Sequence, residues 1–93
     1  MVTGFTWDRR KEAINLRKHG VSFDEARTVF QDPFRLERED LAHSTVERRL
    51  IATGWSTRGR LLTVVRSDRD LESPRIISER RATKRERDAY QRR

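Results

Sequence analysis

The fold is decided by residues 49–66, which read RLIATGWSTRGRLLTVVR. Two apolar runs, 49–55 and 60–66, flank the polar loop Ser56–Gly59. A short loop with a glycine where a positive φ is needed predicts a β-hairpin. Each run carries apolar side chains on both faces, so we expect both strands to be covered on two sides or to lie centrally in a sheet.

The residues after the hairpin predict a turn, one more strand and a closing helix. A turn over 68–74 leads to a strand over 75–80, which contains two adjacent isoleucines. A helix over 83–92 follows, with Thr83 and Glu86 at the spacing of a capping box. Only two apolar side chains lie in this helix, so we expect it to be a binding element and not a core element. A frayed terminus is the alternative.

The first predicted helix covers roughly residues 9–18. Asp8 is placed to accept hydrogen bonds from its first backbone N–H groups, and Gly20 is placed to end it in a left-handed conformation. Its thin apolar stripe consists of Ala13, Ile14 and Leu16. A surface helix ordinarily turns such a stripe toward the core.

A second helix is predicted over residues 23–30. Residues 22–25, SFDE, form a capping box at its start. The helix must end before Pro33, because the residue before a proline avoids the helical region. Short extended segments are expected at 34–38 and, as an edge strand, around 5–7. A polar turn is expected over 40–45.

The element order is therefore a short edge strand, two helices, three or four consecutive strands and a last helix. Strands joined by short loops pair antiparallel. The sequence thus predicts one α+β domain over residues 1–93, in which an antiparallel meander sheet carries two N-terminal helices and a C-terminal helix.

The composition excludes several classes of function. The chain has no cysteine, two histidines and four glycines, which argues against a disulfide, a thiolate zinc site and a glycine-rich phosphate loop. We expect neither a metal nor a cofactor. No apolar run approaches the ~20 residues of a membrane span, and the first residues lack an apolar signal segment. We therefore expect a cytoplasmic protein without membrane contact.

The charge balance favours a polyanionic partner. Lysine and arginine number 22 against 15 aspartates and glutamates, giving a net charge of +7. Nearly all of these cations are arginines, whose planar guanidinium binds phosphate through two donors and stacks on bases. Nucleic acid is the commonest partner of such a domain. A solvated surface or an acidic protein partner is the alternative.

Motifs along the chain resemble those of one family. Residues 6–33, TWDRRKEAINLRKHGVSFDEARTVFQDP, resemble the opening of the BrnT family of toxins. The resemblance continues at His43-Ser44, Glu47-Arg48, Gly59-Arg60, Arg75-Ile76-Ile77-Ser78, Arg80, Ala82, Glu86 and Tyr90. Members of the family commonly carry alanine where this chain has Glu79.

The resemblance implies a toxin of a type II toxin–antitoxin system with a fold similar to RelE-type ribonucleases. Such a toxin cleaves RNA and inhibits translation. Its implied partner is a BrnA-type antitoxin, which neutralises the toxin and represses their shared operon, so that DNA is met only through the antitoxin. The implied complex is a heterotetramer of two toxins and two antitoxins.

Metal-independent RNA cleavage needs a base for the 2′-hydroxyl, an acid for the leaving oxygen and cations for the charged phosphorane. His43, in a polar loop, is the first candidate for acid–base work, because an imidazole ordinarily titrates near pH ~6.5. Glu47 is placed to orient His43 or to act as the base. Arg66 and Arg80 end two strands and are candidates for clamping the phosphate. A purely local role in turn hydrogen bonds is the alternative for His43.

The candidates for RNA contact are Lys18, His19, Arg81, Lys84, Arg85 and Tyr90. The three cations Arg81, Lys84 and Arg85 open the last helix, whose N-terminal amides also attract phosphate. His19 suits the C-terminus of a helix equally well. Tyr90 either stacks on a base or anchors its helix to the sheet.

Two other functions fit the same residues. The first is a non-catalytic basic module that binds RNA or DNA, and the second is a protein-interaction module whose basic face meets an acidic partner. Trp7 and Trp55 are expected to be core or sheet-surface residues and not platforms for bases.

Overall fold

The structure, a computed structural model, describes residues 4–43, 47–68 and 74–92. In that part of the chain, five strands form one sheet in the order β1-β5-β4-β3-β2. The strands are β1 (Thr6–Trp7), β2 (Leu36–Glu39), β3 (Arg49–Trp55), β4 (Leu61–Ser67) and β5 (Arg75–Arg81). The helices are α1 (Arg9–His19), α2 (Phe23–Ala26) and α3 (Lys84–Arg92), with short 3-10 segments at Arg27–Gln31 and Leu41–His43. The α+β class is confirmed, while the predicted turns at 40–45 and 68–74 lie partly outside the described residues.

The predicted hairpin is confirmed and lies in the interior of the sheet. Strand β3 has the predicted bounds, and β4 begins one residue later than predicted. The two strands pair antiparallel from Arg49 opposite Ser67 to Trp55 opposite Leu61. Gly59 has a φ of 78°, the left-handed conformation that the loop requires.

The sheet is not purely antiparallel, which corrects the predicted meander. Strands β2 to β5 form the meander, but β1 pairs parallel with β5, placing Thr6 opposite Arg75 and Trp7 opposite Ile76. The rule that neighbouring strands pair antiparallel applies to strands joined by short loops. Two helices and three strands separate β1 from β5 along the chain, so that rule does not constrain their direction.

One face of the sheet, the helix face, packs against α2 and the segment after it. Its fully buried strand residues are Ala52, Leu62, Val64 and Ile76, and the residues packed on them are Val21, Phe23, Ala26 and Val29. The predicted helix 23–30 starts as an α-helix and continues as a 3-10 helix. This segment passes so close to β3 that a Cβ on Gly54 would lie 3.1 Å from a methyl group of Val29.

Helix α1 lies beside the part of β5 that does not pair with β1, and its apolar stripe does not face the core. Ile14 is 52% exposed and Leu16 is 48% exposed, which corrects the expectation from periodicity. Polar residues face the protein instead: Glu12 accepts the backbone N–H of Phe23, and Asn15 accepts that of Glu79. The physical reason is the position of α1 at a sheet edge, where β5 presents backbone amides that need acceptors.

Helix α3 packs on the opposite face, which we call the open face and which carries Ile51, Thr53 and Thr63. The predicted capping box is present, because the Thr83 N–H donates to Glu86 Oε1 at 2.8 Å and the Glu86 N–H donates to Thr83 Oγ1 at 3.2 Å. No helix in the described part of the chain is long and apolar enough to cross a membrane.

Candidate functional site

The open face carries two adjoining clefts, which together we call the open-face cleft. The first, of about 150 Å³, is lined by Asn15, His19, Arg38, Ile51, Thr63, Val65, Ser78, Glu79 and Arg80. The second, of about 260 Å³, is lined by Leu36, Glu37, Arg38, Ile51, Thr53, Glu86 and Ala89. Arg38 and Ile51 belong to both linings, so the two clefts form one depression that reaches from α1 to α3.

Arg80 stands on β5 opposite Thr63, and its guanidinium is held in the cleft by α3. Its two terminal nitrogens donate to the two carboxylate oxygens of Glu86, at 2.6 and 2.9 Å. Burial alone would raise the pKa of Glu86, but hydrogen bonds from Arg80 and from two threonines outweigh it and lower that pKa to about 2. Glu86 therefore stays ionised, and this bidentate contact fixes Arg80 while 43% of its side chain remains exposed.

His19 and Arg38 line the same cleft as Arg80 from two other elements. His19 is the last residue of α1, which Gly20 ends with a φ of 70°. The last turn of α1 reaches the rim of the open face, because the helix runs along the edge of β5. Arg38 lies on β2 opposite Ile51. An imidazole and two guanidinium groups thus surround a cleft whose lining also contains the hydroxyls of Thr63 and Ser78.

The structure does not bring the four predicted catalytic residues into one site. Arg66 lies on the helix face, where it donates to Asp68 at 3.1 Å and to Glu37 at 3.3 Å and stacks over Phe30. Only 14% of its side chain is exposed. Arg80 lies on the opposite face. It pairs with Thr63 of β4, and the side chains of Thr63 and Arg66 point to opposite faces of that strand.

His43 and Glu47 lie toward the other end of the sheet from Arg80. His43 follows β2, and the last residue of β2 pairs with Leu50 of β3. Arg80 lies across the sheet from Thr53 of β3. Leu50 and Thr53 are separated by about 10 Å along that strand. His43 Nδ1 is 3.0 Å from Asp40 Oδ2. Glu47 comes just before β3 at the same end of the sheet.

The predicted RNA-contact residues fall into three groups. Lys18 is exposed beside His19, and the exposed cations Arg81, Lys84 and Arg85 lie where β5 passes into α3. Tyr90 is 8% exposed, and its hydroxyl donates to Asp32 Oδ2 at 2.7 Å. This contact joins α3 to the body of the protein, as the anchoring interpretation of Tyr90 requires.

Sequence reasoning missed Arg38, Asn15, Thr63 and Ser78 as members of the cleft. Arg38 stands between two glutamates in a short strand, and its face is decided by the register with β3. Asn15 lies on α1, where the apolar residues wrongly predict which face of the helix turns toward the sheet. The signal available in the sequence for Thr63 was only that its two neighbours along the strand are apolar, and Ser78, between Ile77 and Glu79, lacked even that signal.

One residue of the cleft lining, Glu79, carries a buried carboxyl group. Glu79 is 2% exposed, and neither of its carboxylate oxygens has a hydrogen-bond partner among the described residues. Burial, and then the charge of Glu25, raise the pKa of Glu79 to about 7, although Arg60 opposes the shift. Glu25 itself is paired with Arg60 and accepts a hydrogen bond from Ser56 at 2.7 Å. Glu79 is therefore the less stabilised of two neighbouring buried carboxyls.

Across residues 4–43, 47–68 and 74–92, no three His, Cys, Asp or Glu side chains are grouped so that they could hold a metal ion. The arrangement on the open face can bind a phosphate between guanidinium groups and can move a proton through an imidazole.

Comparisons with known proteins give the family. The model of the family described as "Ribonuclease toxin, BrnT, of type II toxin-antitoxin system" matches residues 7–86. The chain therefore belongs to the BrnT family of ribonuclease toxins of type II toxin–antitoxin systems. Its fold is similar to the crystal structure of the Brucella abortus ribonuclease toxin BrnT, with a TM-score of 0.62 at 22% sequence identity, covering 87% of this chain and 97% of that chain. No curated protein matches this sequence.

Proposed function

We propose that this ribonuclease toxin is a metal-independent endoribonuclease that cleaves RNA in the open-face cleft and thereby inhibits translation. The proposal is carried by the convergence of His19, Arg38 and Arg80 on one cleft from three separate elements. An imidazole beside two guanidinium groups meets the two needs of the reaction, proton transfer and stabilisation of negative charge. Lys18, Arg81, Lys84 and Arg85 extend the cationic surface around that cleft.

In the proposed reaction the 2′-oxygen of the RNA attacks the adjacent phosphorus, and its proton passes to a base. The bond from phosphorus to the 5′-oxygen breaks, and an acid protonates that oxygen. The products are a 2′,3′-cyclic phosphate and a 5′-hydroxyl. His19 carries one of the two proton transfers, and Arg38 and Arg80 neutralise the phosphorane. The nucleophile belongs to the RNA itself, so the reaction requires no metal-bound water.

His43 is the second candidate for a proton transfer. Its contact with Asp40 favours it, because a carboxylate on one imidazole nitrogen orients the ring and leaves the other nitrogen for a substrate. With His43 in that role, Glu47 would orient the imidazole or act as the base, and Arg66 would clamp the phosphate, which are the roles that the sequence predicts for them. His19 belongs to the lining of the open-face cleft and His43 does not, so single substitutions separate the two sites.

The experiment is cleavage of end-labelled RNA in excess chelator by the purified protein and its variants. We expect His19→Gln to reduce the cleavage rate about 10²- to 10⁴-fold and Arg80→Gln about 10²- to 10³-fold. Arg17→Gln, which removes an exposed cation from the same helix as His19, is the matched control and should cleave normally.

Three results would change the proposal. Loss of activity in His43→Gln with full activity in His19→Gln would move the site to the His43 end. Cleavage that stops in chelator and returns with a divalent metal would contradict metal independence. A gel shift without products would favour the non-catalytic RNA- or DNA-binding module.

We also propose a BrnA-type antitoxin as the partner, in a complex of two toxins and two antitoxins that meets DNA through the antitoxin, and action in the cytoplasm. The family description, which names a toxin–antitoxin system, supports a partner of this kind. Inducible expression of the chain alone should stop amino-acid incorporation and growth, and co-expression of the antitoxin should restore both. Native mass spectrometry of the purified complex measures the stoichiometry. Normal growth with soluble toxin present would contradict this part.

A further inference from the structure

Two exposed aromatic residues lie next to each other at one end of the sheet. The carboxylate of Asp32 accepts the backbone N–H of Phe34 through Oδ1 and that of Trp55 through Oδ2, each at 2.9 Å. Because one carboxylate binds both amides, the two backbones are adjacent. Phe34 is 63% exposed and Trp55 is 44% exposed. We call these two residues the aromatic pair.

The fold holds the backbone of the aromatic pair without burying its side chains. The same oxygen of Asp32 that binds the Trp55 amide also accepts the hydroxyl of Tyr90. Tyr90 is buried and attaches α3, whereas Phe34 and Trp55 remain exposed. Large apolar side chains that are exposed on neighbouring stretches of backbone indicate a binding surface.

Exposed cations lie at the same end of the sheet. Trp55 pairs with Leu61, and Leu61 accepts the N–H of Ala82, which places Arg81 two strands, or about 10 Å, from Trp55. Arg58 lies in the hairpin loop that follows β3. The exposed cations at this end are Arg58, Arg81, Lys84 and Arg85.

We propose that the aromatic pair stacks on an unpaired base of the RNA substrate, outside the open-face cleft. This inference rests on the proposed cleavage of RNA in that cleft. The exposed residues Lys84 and Arg85 begin α3, and Glu86 of the same helix holds Arg80 in the cleft, so an RNA strand that leaves the cleft along α3 meets these cations.

The composition of this surface favours single-stranded RNA as its occupant. Aromatic rings that take bases, beside cations that take phosphates, are the recognition mode of single-stranded nucleic acids. A second copy of this chain carries the same net charge of +7 and is disfavoured by repulsion. The alternative is that the antitoxin binds the aromatic pair. RNA affinity and neutralisation by the antitoxin, measured on the same variants, distinguish RNA binding from antitoxin binding.

The experiment measures binding of a short labelled 2′-O-methyl oligouridine, which cannot be cleaved because it has no free 2′-hydroxyl. We expect binding to quench tryptophan fluorescence, and the part of the quenching that is missing in Trp55→Phe belongs to Trp55. The affinity should fall about 5- to 100-fold in Trp55→Leu, which removes the ring. It should fall much less in Trp55→Phe, which keeps a ring that can stack.

Two further variants distinguish loss of stacking from loss of folding and from the loss of any exposed apolar side chain. Phe34→Leu changes the more exposed member of the pair, so it tests the surface even if Trp55→Leu unfolds. Leu41→Ala removes an apolar side chain that is 80% exposed at the other end of the sheet and should bind the oligonucleotide as the wild type does. An oligonucleotide with abasic residues in place of uridines should bind the wild type as weakly as Trp55→Leu binds the intact one.

The outcomes distinguish this inference from the proposed function. Wild-type affinity in both folded Trp55→Leu and Phe34→Leu would overturn the stacking role. Wild-type RNA affinity together with loss of neutralisation by the antitoxin would assign the pair to the protein partner and would overturn it equally. RNA that binds through the pair but is never cleaved would leave this inference standing and overturn the proposed ribonuclease mechanism.

Discussion

Replacing Glu79 by glutamine should remove most of the pH dependence of stability between about pH 5 and pH 8. Glu79 is 2% exposed and its carboxylate oxygens lack hydrogen-bond partners among the described residues. Burial and the nearby charge of Glu25 raise the pKa of Glu79 to about 7. The folded protein therefore binds a proton on this group more tightly than the unfolded chain does.

The magnitude follows from the two pKa values. The pKa of Glu79 rises from an ordinary value of 4.5 to about 7 in the folded protein. At about 1.4 kcal/mol per pKa unit, this difference changes the unfolding free energy by roughly 3 kcal/mol between low and high pH. For a carboxyl with a raised pKa, the stabilisation is complete below about pH 4.5 and is lost as the pH rises through about 7. Glu86 has the opposite pH dependence. Its pKa of about 2 means that its contribution to the unfolding free energy is lost only as the pH falls into the acid range. Stability should therefore be highest near pH 5.

The assay is urea unfolding followed by tryptophan fluorescence, at several pH values between about 5 and 8. Glutamine has nearly the same shape but leaves a buried amide without partners, which costs about 1–3 kcal/mol at every pH. The slope of the unfolding free energy against pH is therefore the decisive quantity. Asp24→Asn, at a side chain that is 68% exposed, is the matched control and should keep the wild-type slope.

A slope in Glu79→Gln equal to that of the wild type would refute this reasoning, because the pH dependence would then arise elsewhere. Glu79→Met is a second variant that fills the same space without a polar group. It should be more stable than the wild type at about pH 8, since replacing an unpaired buried charge by an apolar group of similar volume is stabilising.

Two further perturbations test the contacts that join the layers of the protein. Arg60→Met leaves Glu25, which is 4% exposed, without its ion-pair partner. It should lower the unfolding free energy by about 3–5 kcal/mol in a urea titration. An unchanged unfolding midpoint would show that water reaches the Glu25 carboxylate. Tyr90→Phe removes the hydrogen bond to Asp32 and should lower the unfolding free energy by about 1.5–3 kcal/mol. Amide hydrogen exchange should speed up more in α3 than in β3 and β4. An equal increase in all three elements would argue against a local anchoring role for Tyr90.

The central sheet was predictable from the sequence because its signals are local. The loop Ser56–Gly59 and the apolar runs beside it specify the hairpin, and the capping box at Thr83 specifies the start of α3. The parallel pairing of β1 was not predictable, since it joins segments from the two ends of the chain. The orientation of α1 was predicted wrongly, because its polar side chains accept backbone N–H groups of other elements, Asn15 that of Glu79 on β5 and Glu12 that of Phe23, which apolar periodicity does not record.

The candidate site was only partly predictable, for a related reason. Sequence position suggested Arg66 and Arg80 for the same task, since both lie near strand ends and both are arginines. The pleat sends them to opposite faces, and that difference depends on strand register. Arg38 acquires its place in the cleft from the register of β2 with β3, which a single residue of slippage would reverse. His19 and Tyr90 carried two interpretations each, and the structure places His19 both at the end of α1 and in the cleft lining, and Tyr90 against Asp32.

The two helices that border the cleft are attached to the sheet mainly by polar contacts. With 33% hydrophobic residues, the chain forms an apolar core between the helix face and α2. Helix α1 has no buried residue and meets β5 through Asn15, while α3 is held by the Glu86–Arg80 pair and by Tyr90 on Asp32. Elements with few buried apolar contacts open at low free energy. We therefore expect the paired strands to form a rigid floor of the cleft, and α1 and α3 at its borders to open more readily than the strands in hydrogen exchange.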